Sequence, residues 1–117
     1  MNWFIAKLIF SIEQEEACAS QFDEQIRLVQ AGSALEAMKK AETIARVEEQ
    51  EFVNSNGHRV AWQLAGIPYL NELDELEDGK EICSQIIESD DAESYKEQVN
   101  RRYHAIKDQL AHATSVT

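Results

Sequence analysis

Three side chains near the C-terminal end have the types and spacing of metal ligands: His104, Asp108 and His112, at four-residue steps. On a helix such a row lies along one face, and neighbouring members can share an ion. The outer two stand ~12 Å apart along the axis, beyond one ion's reach. A closed site needs more than two ligands, and the only cysteines, Cys18 and Cys83, are not spaced to supply them. The row therefore reads as exposed polar residues on a helix, and neither a metal nor a cofactor is expected.

Covalent chemistry fares no better. The chain has no Gly-x-Ser-x-Gly elbow and no Gly-rich phosphate loop. Cys18 lies among Glu13, Glu15 and Glu16, a setting that does not suit a nucleophilic thiol. Cys83 falls inside a predicted strand as a small packed side chain. Carboxylate pairs are plentiful, but 22 acids in 117 residues guarantee them by chance, and acid–base work needs two carboxylates in contrasting environments. No catalytic residue is assigned.

Charge distribution is more informative. The net charge is −11. Between Asn71 and Asp91 stand nine acids and one base, Lys80, so that the rest of the chain is nearly balanced. Glu72, Asp74, Glu75, Glu77 and Asp78 are the candidate partner-binding residues, joined by a second group at 88–91, and a solvated loop is their commonest other meaning. Among the aromatics, Trp62 reads as core, between Val60 and Leu64. Trp3 shares a face with Lys7 and is expected to be partly exposed, with a groove between Trp3 and Tyr69 as a candidate site. Val99, Tyr103, Ile106 and Leu110, spaced four, three and four apart, form a candidate seam for a homodimer. The same stripe could instead pack on the chain's own sheet.

The elements that must position these residues follow from periodicity. Residues 2–13 alternate as a strand, with Phe4, Ala6, Leu8, Phe10 and Ile12 on one face. Residues 22–31 resume alternation, Ile26 and Leu28 being assigned to the core, and sequential strands of this kind pair as an antiparallel hairpin. Ser33 and Glu36 have capping-box spacing, opening a helix over 33–50 whose buried stripe is Ala34, Ala37, Met38, Ala41, Ile44 and Ala45. Asn54-Ser55-Asn56-Gly57 is a turn, with two positive φ angles expected at Asn-Gly. A strand from His58 through Val60, Trp62 and Leu64 should bend or bulge at Gly66 and Pro68. A last strand is expected from Ile82 to about Glu88. Asp90 then caps a C-terminal helix over 89–113, and 114–117 fray. The order is β-β-α-β-β-α: an α+β domain with an antiparallel sheet of four or five strands and the 33–50 helix on one face.

Composition bounds the function classes. A chain of 117 residues with 44% apolar and 28% charged residues suits one domain, 1–117. Its acidity repels nucleic-acid phosphates and anionic membranes. Two distant cysteines, and Lys7 placed inside the first apolar run, point to a reducing cytoplasm rather than a secretory signal.

Trp3-Phe4-x-Ala6-Lys7-Leu8-Ile9, Ile26-x-Leu28, Leu35-Glu36-Ala37-x-Lys39-Lys40-Ala41-Glu42, Asn56-Gly57 with Val60-x-Trp62, and Glu75-Leu76-x-Asp78-Gly79-x-Glu81-Ile82-x-Ser84 come in a set order. The ordered set resembles a bacterial family of small proteins, domain of unknown function four-two-eight-eight, over residues 2–87. Gln85 stands where that family would have a basic residue. The resemblance implies an α+β core and bacterial origin, and it brings no catalytic residues. The leading expectation is a non-enzymatic acidic interaction module for a basic protein, an immunity-type protein being one specific version. The rival is an enzyme or small-molecule binder with a pocket between sheet and helices.

Overall fold

The computed structural model describes residues 1–116, with side chains through Ala113. The chain forms two compact units, one ending at Cys83 and one beginning at Ser84. The first contains β1 (Asn2–Gln14), β2 (Gln21–Ala31), α1 (Ala34–Glu48), β3 (Gln50–Val53) and β4 (Arg59–Leu73), and the second contains α2 (Ala92–Val116). The four strands form an antiparallel sheet of order β2-β1-β4-β3, so β1 is the strand with a long partner on each side. The β-β-α-β-β-α order is therefore as expected.

The core lies between β1 and α1. Phe4, Ala6, Leu8 and Phe10 are at most 3% exposed, and Ala37, Ala41 and Ala45 of α1 are fully buried against them. Alanines at three- and four-residue spacing give α1 a flat face, so its backbone comes close to the sheet. Ser33 caps the helix: its Oγ accepts from the Glu36 N–H at 3.2 Å, and the Glu36 carboxylate accepts from the Gly32 N–H at 3.0 Å. Trp62 packs its ring 6.4 Å from that of Phe10, and Leu64, Ile67 and Leu70 complete the β4 side of the core.

Register overturns one core assignment. Phe4 opposes Val29 and Ala6 opposes Arg27, so the odd residues of β2 share the core face. Val29 and Ala31 are buried there, whereas Ile26 and Leu28 point to the opposite face at 64% and 61% exposure. The pairing of the hairpin, not the apolar count of a strand, decides which set goes inward.

The bend expected at Gly66 and Pro68 is a pair of register shifts. Between Lys7 and Phe10 of β1, β4 runs from Tyr69 to Leu64 and so carries two residues more than its partner. The first shift turns Ile67 inward and the second restores the original alternation, so Leu64 and Leu70 both reach the core.

Two turns differ in detail from expectation. In the β3–β4 loop only Gly57 has positive φ, at 81°. The Asn54 carboxamide oxygen accepts from the Asn56 and His58 N–H groups, each at 3.0 Å, and does the work assigned to a second positive φ. At α2 the cap is Asp91 rather than Asp90, its Oδ1 accepting from the Ser94 N–H at 3.0 Å.

The strand expected over 82–88 does not form, and residues 81–89 belong to no helix or strand. Alternation supplies a face but not a ladder, and residues 82–88 pair with no strand of the β2-β1-β4-β3 sheet. Ile82 and Ile86 are exposed, and so is Cys83, which is not a packed core thiol. The fourth strand is instead the short β3. The helix expected to end at 113 continues to Val116, and Thr117 lies outside the described residues.

Two outcomes check this core. Leu8→Asp places a carboxylate where the side chain is fully buried and should cost about 3 kcal/mol or more, enough to threaten a domain of marginal stability. Unchanged thermal melting would refute the assignment. Ser33→Ala should cost about 1 kcal/mol through the lost cap, read by urea denaturation.

Candidate functional site

Trp3 opens β1 on the face opposite α1, against Leu73 at the end of β4. Where β4 ends, Glu72, Asp74 and Glu75 come alongside, and a groove of about 400 Å³ is lined by Met1, Asn2, Trp3, Glu72, Leu73, Asp74 and Glu75. Trp3 is 47% exposed, as its place beside Lys7 in sequence implied. Tyr69 is on the same face but opposes Lys7, four residues along β1 from Trp3, and does not line this groove. Three of the five acids singled out in sequence thus line the same groove as Trp3, Glu72 from the face of β4 that opposes Phe4.

The other two serve a turn. The Glu77 carbonyl accepts from the Lys80 N–H at 3.2 Å, with Gly79 at φ 82°, the left-handed angle a type II turn needs at its third position. This turn brings Lys80 back on the segment. Its Nζ donates to the Glu75 carbonyl at 2.9 Å and stands 4.0 Å from Asp74 Oδ2. The one base of the acidic stretch is spent holding that stretch together, and the carboxylates of Glu72 and Glu75 keep their charge for solvent or a ligand. Glu88, Asp90 and Asp91 belong to the second unit, where Asp91 is engaged as the α2 cap.

An exposed indole at a groove lined by carboxylates can attract a cation by two mechanisms. The ring quadrupole draws a guanidinium or ammonium group, and the carboxylates accept charge-assisted hydrogen bonds from it. A second polar group was missed in sequence: Asp23, Gln25 and Arg27, on the core side of β2. Gln25 Nε2 donates to Asp23 Oδ2 at 2.6 Å, Arg27 Nε donates to Gln25 Oε1 at 3.0 Å, and Arg27 Nη2 reaches Glu48 Oε1 of α1 at 2.5 Å. The period-two recurrence of polar residues in a strand was the signal available for it.

On α2, Val99, Tyr103, Ile106 and Leu110 fall on one line, each between 49% and 62% exposed. Lys107 Nζ lies 5.1 Å from the centre of the Tyr103 ring, and the His104 ring stacks on Tyr103 at 5.4 Å. With the seam as the a and d positions, Arg102 and Lys107 take its g and e flanks, so both flanks are basic. Among the described residues no three His, Cys, Asp or Glu side chains converge as metal ligands, and no helix is long and apolar enough to cross a membrane.

A family model described as Domain of unknown function (DUF4288) matches residues 3–84, and the chain belongs to that family. The match covers both Trp3 and the Glu72–Glu75 stretch. No curated protein and no solved structure matches the chain.

If the groove is a surface for a partner and not a structural element, its residues should be replaceable without loss of the fold. Converting Glu72, Asp74, Glu75 and Glu77 to Gln or Asn should change stability by no more than about 0.5 kcal/mol. A large drop in melting temperature would assign these acids to folding instead.

Proposed function

We propose that this member of the DUF4288 family is a non-enzymatic protein-interaction module that takes a basic side chain of its partner into the Trp3 groove. The observation that supports the reading is the half-exposed Trp3 ring at a groove lined also by Asp74 and Glu75, with Glu72 at its rim on the other face of β4. An arginine or lysine there gains the ring face and the carboxylates together, and long-range attraction from a net charge of −11 speeds its approach. The rival reading required a pocket between sheet and helix. That layer is filled by Ala37, Ala41 and Ala45 at zero exposure, and among the described residues no polar or charged residue is buried.

The test uses a labelled arginine-containing decapeptide and the same peptide with glutamine at each arginine. The wild-type chain should bind the first and not the second at low salt. Trp3→Ala should weaken binding about threefold, the scale of an exposed cation–π contact. Neutralising Glu72, Asp74 and Glu75 should slow association, and the difference from wild type should shrink as salt shortens the Debye length to ~8 Å and below. A neutralised variant that associates at the wild-type rate in low salt would exclude this groove as the site.

A further inference from the structure

β2 is an edge strand, paired through Gln21–Ala31 with β1 alone. Alternate residues of such a strand turn their N–H and C=O groups away from the sheet, a template for another strand. Edges are commonly guarded by a proline, a bulge, a covering element or charged side chains, and of these β2 carries the charges Asp23, Glu24 and Arg27. β2 has no proline, and its register with β1 is unbroken from Gln21 to Ala31. Phe22, Ile26 and Leu28 stand 60–64% exposed along it. Among the described residues only its end is engaged, where Lys40 Nζ donates to the Gln30 carbonyl at 3.0 Å. The open stretch runs over 21–29, and its midpoint is Gln25.

We infer that this edge pairs with the same edge of a second copy, antiparallel about a two-fold axis at Gln25, joining two four-stranded sheets into one. The occupant is identified by self-complementarity. With the axis at Gln25, Arg27 opposes the partner's Asp23 and Asp23 opposes the partner's Arg27, both on the face that carries α1. On the other face Leu28 opposes the partner's Phe22, and Phe22 the partner's Leu28. Between them Ile26 opposes the partner's Glu24 and Glu24 the partner's Ile26, each Glu24 being paired with Lys7 of its own sheet at 3.0 Å. Directly opposed side chains of an antiparallel pair touch, so both charge pairs and both apolar pairs are made. Neighbouring registers lose this match. An axis at Ile26 sets Asp23 against the partner's Val29 and Arg27 against the partner's Gln25, and so makes neither charge pair. An axis at Glu24 brings two carboxylates together, and one at Arg27 brings two guanidinium groups together.

The two charges are held in place beforehand. Gln25 bonds both Asp23 and Arg27, at 2.6 and 3.0 Å, and Glu48 anchors the guanidinium from α1. Arg27 uses two of its five N–H donors in these bonds, leaving three to reach across the edge. The Asp23 oxygen not bonded by Gln25 can receive them.

Charge-reversal variants of the full-length chain test this interface. By sedimentation equilibrium the wild type should be a dimer, while Asp23→Arg and Arg27→Asp should each dissociate at least about tenfold more readily, because two opposite-charge contacts become like-charge contacts. Mixed together, the two variants restore both pairs. A heterodimer tighter than either homodimer, resolved by mass in native mass spectrometry, is the expected result. Circular dichroism verifies the folding of each variant. In wild type, amide exchange over 21–29 should quicken on dilution to monomer, a readout that needs no variant. A wild type still monomeric at about 200 μM, no gain on mixing, or a dimer lost on Val99→Asp but unaffected by either charge reversal would each overturn the proposal, the last by moving the contact to α2.

Discussion

The first unit depends on the contact between one strand and one helix, the inner face of β1 against the alanines of α1. Four consecutive inward residues of β1 are at most 3% exposed, and three alanines of α1 are fully buried. Because α1 brings small side chains, the layer it closes is thin. Phe10, Leu8 and Val29 are the largest side chains buried completely. Close backbone approach favours dispersion and expels water, but it leaves little room for polar groups or a cavity. The molecule's surfaces for other molecules therefore lie outside that layer.

The reach of β4 follows from the same constraint. A strand that passes Gly66 and Pro68 and still delivers Leu64 and Leu70 to one core must change its alternation twice or not at all. It does so twice, and the even residues beyond Pro68 regain the inner face. A single extra residue would turn Leu70 outward and Asn71 inward, an apolar loss and a buried amide together. It would also move Glu72 and Leu73 to opposite faces at the end of β1. The geometry of the Trp3 groove is thus set several residues away, by two irregularities in the middle of a strand.

Exposed apolar and charged groups are distributed in a way that a folded core does not require. Phe22, Ile26 and Leu28 lie on an edge strand, and Trp3 lies beside carboxylates, while the ion pairs of the sheet, Lys7–Glu24 and Arg27–Glu48, are part-exposed. Pairs of that kind contribute little to stability. Their contribution is positional: Glu48 fixes a guanidinium at the sheet edge, and Lys80 fixes the loop that carries Asp74 and Glu75. Both surfaces set an apolar side chain near an oriented charge.

Local interactions made much of this legible in the sequence. The β1 alternation, the Ser33 cap, the alanine stripe of α1, the turn before His58 and the irregularity at Gly66 and Pro68 are each decided by residues within a turn or a strand of one another. So was the partial exposure of Trp3, which a lysine on its own face already implied. What sequence could not decide was pairing. The inward set of β2 was read from its more apolar residues, yet opposition to Phe4 and Ala6 put Val29 inside and left Ile26 and Leu28 outside. Residues 82–88 alternated like a strand and found no ladder, since alternation specifies a face but not a pairing partner. The groove shared by Trp3, Leu73, Asp74 and Glu75 joins residues some seventy positions apart. Periodicity fixes what a segment can bury; only the hydrogen-bond register between distant segments fixes which side chains then stand together.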